Sequence, residues 1–167
     1  LRALYYYHLI DLFGNVPLVL SSSTSMKEVT QKSRREVYDF VVQELQESAP
    51  ELSTAHSNLP GTYYGRITRP VVYFLLAKLA LNAEVYADND WTDGVRPDGR
   101  ELYFTVDGKR LNAWQTAEAY CDSITKFGYR LEEDYKTNFA VFNESSAENI
   151  FIIPMNKNLY TNQMQYL

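Results

Sequence analysis

A mainly α fold, built of stacked helix pairs with long loops and one short hairpin insertion, is predicted by three features of these 167 residues. Apolar residues recur at helical spacing in four separate stretches. These begin near residues 2, 34, 69 and 112. The first two gaps are therefore close to the roughly 34-residue period of tetratricopeptide-like repeats, whose helix pairs stack into an α-α superhelix. The third gap is longer by about the size of a turn-rich insertion, Ala87 to Arg110, where the helical spacing stops.

The first stretch, Leu1 to Phe13, contains no helix breaker. Gly14 supplies a left-handed stop, and Pro17 prevents resumption. Apolar residues cover nearly its whole circumference, which predicts burial between other elements. Its Tyr5, Tyr6, Tyr7 and His8 point in different directions and cannot form one stacking platform, so they read as core packing, with His8 a satisfied core histidine. Ser21 to Ser25 is a polar loop. Ser33-Arg34-Arg35-Glu36 then has the pattern of a capping box. Val37, Phe40, Val41 and Leu45 follow at helical spacing to about Ser48.

Pro50 to Arg66 is a polar loop with a Pro60-Gly61 turn signal, in which His56 has no companion. Thr68-Arg69-Pro70 starts the strongest helix, with a capping hydroxyl followed by a proline where its missing amide costs nothing. Val72, Leu75, Leu76, Leu79, Ala83 and Tyr86 form one continuous stripe. The insertion follows with three turn signals, Asp93-Gly94, Asp98-Gly99 and Asp107-Gly108, and β-prone Leu102 to Val106 marks a small hairpin. Helical spacing resumes with Trp114, Ala117, Cys121 and Ile124 and ends at Gly128. Tyr135 to Ser146 reads as a loop with aromatic anchors, and Glu148 to Ile153 as a strand closed by Pro154. The tail to Leu167 is polar and lacks a clear period.

Composition narrows the function. Hydrophobic content of 46% and charged content of 22% are those of an ordered globular chain. A net charge of −5 with no Lys/Arg stripe argues against nucleic acid as a partner. The single cysteine, Cys121, excludes an internal disulfide and reads as a small buried hydrophobe. No apolar run approaches the roughly 20 residues of a membrane span. Fourteen tyrosines, eight phenylalanines and two tryptophans are more than a helical core needs. Rings with a polar handle suit carbohydrate faces and protein interfaces, or simply a tyrosine-rich core and surface.

The insertion holds the residues best suited to a ligand. Trp91 and Tyr103 offer faces for the apolar side of a pyranose, and Asn89 and Asp90 offer hydrogen bonds to its hydroxyls. Asp88, Asp90 and Asp93 are also weak candidates for calcium, which takes several oxygens, although the EF-hand spacing is missing. Plain turn chemistry explains the same residues. The acidic run Glu132-Glu133-Asp134 reads as a solvated loop rather than a glycosidase pair. No triad, zinc spacing, phosphate loop or dinucleotide fingerprint occurs, so no catalytic residue is assigned and no enzyme is expected.

Several segments, taken together, resemble a known family. Arg2-Ala3-Leu4-Tyr5-Tyr6-Tyr7 followed by Leu9-Ile10-Asp11-Leu12-Phe13-Gly14-Asn15-Val16-Pro17-Leu18 is similar to the hallmark segment of SusD/RagB outer-membrane glycan-binding lipoproteins. Ser33 to Leu45 resembles the next family helix, and Gly65-Arg66-Ile67-Thr68-Arg69 with Leu75 to Tyr86 resembles the third. Tyr129-Arg130-Leu131, Phe142-Asn143-Glu144 and Glu148-Asn149-Ile150-Phe151 resemble the segment after the fourth. The chain departs from the family pattern at Ala87 to Arg110, where many relatives have only a short turn.

The resemblance implies that residues 1–167 are an internal part of the helical-repeat region of a larger SusD-like protein. It implies non-catalytic capture of an oligosaccharide nutrient at the bacterial outer-membrane surface and delivery to a SusC-like TonB-dependent transporter. A lipid anchor would lie outside this chain. In the family the sugar-binding aromatics come largely from outside the matched motifs. A tetratricopeptide-like protein-interaction scaffold without sugar binding is the alternative.

Overall fold

A computed structural model of the chain describes residues 1–154. The tail read as polar and aperiodic lies outside the described residues. Helix α1 (Arg2–Phe13) closes at Gly14, whose φ of 70° lets its amide donate back to the Ile10 carbonyl at 3.1 Å. A two-residue ladder that the sequence does not signal follows, pairing β1 (Val16–Pro17) with β2 (Gln31–Lys32). Helix α2 (Arg34–Ser48) starts with the expected capping box: the Ser33 hydroxyl accepts from the Glu36 amide, and the Glu36 carboxylate accepts from the Ser33 amide.

The long stripe after Thr68 is two helices rather than one. Helix α3 (Arg69–Leu81) ends at Asn82, which leaves helical geometry and turns its side-chain amide onto the Lys78 carbonyl at 2.9 Å. An asparagine that bonds its own backbone competes with the helix ladder, so a short α4 (Ala83–Ala87) restarts beyond it. All six stripe residues are buried nonetheless. Thr68 does not cap α3: its hydroxyl is buried without a hydrogen-bond partner among the described residues.

The hairpin forms as expected, β3 (Tyr103–Val106) against β4 (Lys109–Asn112), around Asp107 and Gly108, both at positive φ. Helix α5 (Ala113–Lys126) begins with a second capping box, Asn112 with Gln115. Its buried face is Ala113, Thr116, Tyr120 and Ile124: Ile124 is buried as expected, but the first two turns bury the residues one position before Trp114, Ala117 and Cys121. Trp114 lies over Gly99 instead, and Cys121 is exposed rather than buried. The expected strand Glu148 to Ile153 does not form: Glu148 lies in a bend, and the segment joins no ladder among the described residues. The nearest backbone bond runs from the Arg130 amide to the Ala147 carbonyl at 3.1 Å.

α1 packs on α2 and α3 packs on α5, while α2 reaches α3 and α4, so the pairs stack in the predicted tetratricopeptide-like manner. Ile10, Val37, Val41, Leu79 and Ala83 sit fully buried where the pairs meet. α1 is covered on one side only: Ala3, Tyr6, Tyr7 and Ile10 are buried, while Tyr5, Leu9, Leu12 and Phe13 are exposed. His8 is exposed too, not a core residue. No helix among the described residues is long and apolar enough to cross a membrane.

Candidate functional site

The insertion is anchored to the first turn of α2 and then stiffened from within. The Arg34 guanidinium donates to the Asp88 carbonyl at 2.9 Å, and the Arg35 amide donates to the Asn89 side-chain oxygen at 3.3 Å. Aspartates then fold the loop by accepting from amides two residues ahead: Asp88 from Asp90, Asp90 from Thr92 and Asp93 from Val95. The Thr92 hydroxyl and amide bonds hold the Asp90 carboxyl below its ordinary pKa. Arg96 crosses the loop, donating to the Trp91 carbonyl at 2.6 Å and pairing with Asp88 at 3.2 Å. Trp91 is thereby presented to solvent at 72% exposure on a braced loop.

The calcium candidates are arranged around a side-chain cation. The Arg96 guanidinium lies 3.2 Å from the Asp88 carboxylate and 3.9 Å from that of Asp93, while Asp90 is turned to Thr92. Among the described residues no three His, Cys, Asp or Glu side chains group as a metal would require. As placed, the Asp88 and Asp93 carboxylates face the Arg96 guanidinium.

Tyr103 is half exposed at 49%, on the hairpin, with the Arg110 guanidinium 3.4 Å from its ring centroid. It lines a cleft of about 240 Å³ between the hairpin and α2, whose wall carries Arg35, Asp39, Gln43 and Gln46. Trp91, Asn89 and Asp90 do not line that cleft. Asn89 is bonded to the backbone amide of Arg35, whose side chain lines the cleft.

A larger groove of about 780 Å³, which sequence reasoning missed, runs between α1, α3, α5 and the irregular segment from Glu148. Phe74, Lys78, Tyr135 and Phe139 are among its walls, and the Lys78 ammonium lies over the rings of Tyr7 and Phe74 at 5.3 and 5.7 Å. The aromatic residues of the Tyr135 to Ser146 loop are not anchors. Tyr135 and Phe139 sit on a 3₁₀ turn and pack on each other, and Phe139 is 70% exposed. The only advance signal was aromatic density in a segment without a helical period.

The remaining polar residues have structural duties. His56 does have companions: its ring stacks on Tyr129 with centroids 4.0 Å apart, and its Nε2 bonds the Phe127 carbonyl at 2.8 Å. Within the acidic run, Glu132 accepts from the Ala147 amide and Asp134 from the Lys136 amide. The Glu148 carboxylate, held below its ordinary pKa by the Glu132 amide and then by Asn138, ties the same loop together.

No family model matches the chain. It is 25% identical over 146 residues to the starch-binding protein SusD of Bacteroides thetaiotaomicron, covering 87% of this chain and 21% of that protein. A SusD-like carbohydrate-binding protein from Bacteroides fragilis superposes with a TM-score of 0.67 at 21% identity, over 94% of this chain and 26% of that one. A laminarin-binding SusD-like protein gives 0.62 at 23% identity, over 90% and 28%. The chain thus spans about a fifth of the curated relative and about a quarter of the solved structures. The resemblance read from the sequence is borne out, in sequence against SusD and in fold against SusD-like structures.

Proposed function

We propose, from the SusD-like fold and sequence as premise, that the protein of which this chain is part captures oligosaccharide without catalysis. It would hold the glycan at the bacterial outer-membrane surface as an anchored lipoprotein and pass it to a SusC-like TonB-dependent transporter. The observation that carries this reading is Trp91, an exposed indole on a loop braced by Arg96 and three aspartate-accepted amide bonds. An aromatic face already fixed in place loses little freedom on stacking against a sugar ring, which favours reversible capture. Asn89 and Asp90, two residues and one residue away in the chain, would supply the hydroxyl contacts. Capture of this kind forms and breaks no covalent bond, and the supporting likenesses are to proteins described as starch-, carbohydrate- and laminarin-binding.

The test is native gel electrophoresis of the full-length protein through a panel of embedded polysaccharides. Retardation by at least one neutral polysaccharide, lost in Trp91→Ala, is expected. Retardation on none would overturn the reading, and release of shorter products would indicate an enzyme. Co-purification with the transporter encoded beside the gene, from solubilised outer membranes, tests delivery. One observation favours a second reading, a protein-binding scaffold: the 780 Å³ groove is walled by exposed Phe74, Tyr135 and Phe139. Retention of a protein ligand alongside no polysaccharide retardation would support it.

A further inference from the structure

We infer that the cleft between α2 and the hairpin is a second contact site for the same glycan, built for an uncharged sugar. The inference rests on the capture reading but concerns a different part of the surface. Arg35, Asp39 and Gln43 are spaced four residues apart, so they stand in one row along α2. The row forms one wall of the cleft and Tyr103 the other.

The cleft's charges are already satisfied. Arg35 Nε reaches both Asp39 oxygens, at 2.9 and 2.8 Å, so the two charged groups that line the cleft are paired with each other, while Arg110, outside the lining, lies over one face of the Tyr103 ring. An anionic sugar would find no free cation there, and a cationic one no free carboxylate. A neutral sugar meets what it needs: one aromatic wall, with planar amide and carboxylate groups opposite to bond its ring hydroxyls. Gln46 fixes the geometry, its amide donating to the Thr105 carbonyl at 3.0 Å and to the Tyr120 hydroxyl at 3.1 Å. The first bond ties strand β3 to α2 and the second ties α5 to α2, so the cleft exists before the ligand arrives.

Arg35 also links the cleft to the Trp91 loop. The Arg35 amide holds Asn89, two residues before Trp91, while the Arg35 side chain lines the cleft. A chain of several sugar units stacked on Trp91 can therefore extend along Arg35 to Tyr103. Two weak contacts on one ligand raise affinity with length, because the second contact is made intramolecularly.

Isothermal titration of the full-length protein with a neutral oligosaccharide length series tests this. Tyr103→Ala and Gln43→Ala are each expected to bind the longest oligomers roughly tenfold more weakly, as loss of one stacking or polar contact would give. They should bind the shortest oligomers that Trp91 holds as the wild type does. Asp39→Asn leaves Arg35 unpaired and is expected to gain binding to a uronate-bearing polymer that the wild type ignores. Gln43 is an exposed helix position and keeps the test valid should Tyr103→Ala fold poorly. If Trp91→Ala abolishes binding while both cleft variants bind every length normally, the second site falls and the capture reading stands. If the wild type binds no glycan of any length, both fall.

Discussion

The Tyr86 hydroxyl donates to the Asp11 carboxylate at 2.7 Å, joining the last turn of α4 to the far end of α1. Tyr86 also stacks on Tyr38 of α2, with centroids 5.5 Å apart and planes 26° from parallel. The Tyr38 hydroxyl in turn donates to the Leu79 carbonyl at 3.1 Å, which α3 leaves available near its end because Asn82 interrupts the ladder. Four helices thus meet at two phenols, each with its ring in the core and its polar end satisfied. That use of tyrosine, and not a ligand platform, accounts for much of the aromatic excess in the helical stretches.

Alkali should loosen this junction. Burial first, and for Tyr86 then the bond to Asp11, pushes both phenols well above their ordinary value of 10.0. A raised folded-state pKa means the stabilisation is complete below about pH 10 and is lost as pH rises beyond it, since the unfolded chain ionises first. Urea midpoints should therefore be flat from pH 8 to about 9.5 and fall steeply above. Tyr86→Phe should cost about 1 kcal/mol at pH 8 and show a shallower alkaline fall, because one of the two phenols is gone. An equally steep fall in that variant would show that the junction is not the alkaline trigger.

Gly99 should accept no side chain. A methyl group there would lie 2.5 Å from Trp114 Cζ2 and 2.7 Å from Cε2, and the indole is a rigid neighbour. The glycine is held from both sides, its amide donating to Glu84 at 2.8 Å and its carbonyl accepting from Ala113 at 3.0 Å. It cannot step aside without breaking the start of α5. Gly99→Ala should destabilise the fold by about 1–3 kcal/mol, as overpacking does. A paired Gly99→Ala, Trp114→Ala variant should lose less than the two single changes added together. Additive losses in urea denaturation would remove the proposed clash.

What the sequence disclosed and withheld divides along physical lines. Helix starts were legible where a local side-chain signal exists, as at Ser33 with Glu36, and the hairpin was legible from Asp107-Gly108. Local pattern failed where adjacent helical phases are nearly degenerate. Around Ala113-Trp114, helical spacing alone puts Trp114 on the core face, whereas in the fold its indole lies over Gly99 and Ala113 is buried instead. It failed again at Asn82, where the stripe continues across a break because burial resumes on the same side. For the site, the sequence marked Trp91 and Tyr103 by residue type but could not show that Arg96 braces one while α2 walls the other. Those partners are separated by from 5 to 68 positions, and only folding brings them together.

Acid should act through the cap of α2. The Ser33 amide, with help from the Ser33 hydroxyl and Lys32, holds the Glu36 carboxyl below its ordinary 4.5. A lowered folded-state pKa gives stability that is complete above about pH 4.5 and is lost as pH falls towards the folded value. Ser33→Ala removes the cap and should cost about 1 kcal/mol at neutral pH. Glu36→Gln keeps a capping amide oxygen but no charge, so its stability should change less between pH 6 and 3 than that of the wild type. Thermal melts across that range read both effects, and parallel curves for Glu36→Gln and wild type would rule out the carboxylate as a contributor.

The Trp91 loop should be loosened without unfolding the domain by Arg96→Ala. Arg96 is the cross-brace of the loop, bonded to the Trp91 carbonyl and paired with Asp88, yet it is itself exposed and contributes nothing to the apolar core. Its partner Asp88 is buried, so removing the guanidinium leaves a buried carboxylate without its cation, and the melting midpoint should fall by the equivalent of about 1–3 kcal/mol. The effect should also be visible locally. The amides of residues 90 to 96 should exchange with deuterium several-fold faster, because the loop keeps its aspartate turns but loses the strut that joins them. If a braced indole is what favours sugar stacking, glycan affinity should fall in Arg96→Ala although the Trp91 ring is intact, and Arg96→Lys should restore only part of it, since an ammonium cannot span both partners as the guanidinium does. Faster exchange with unchanged affinity would separate loop order from binding and leave the ring's exposure alone as the source of the contact.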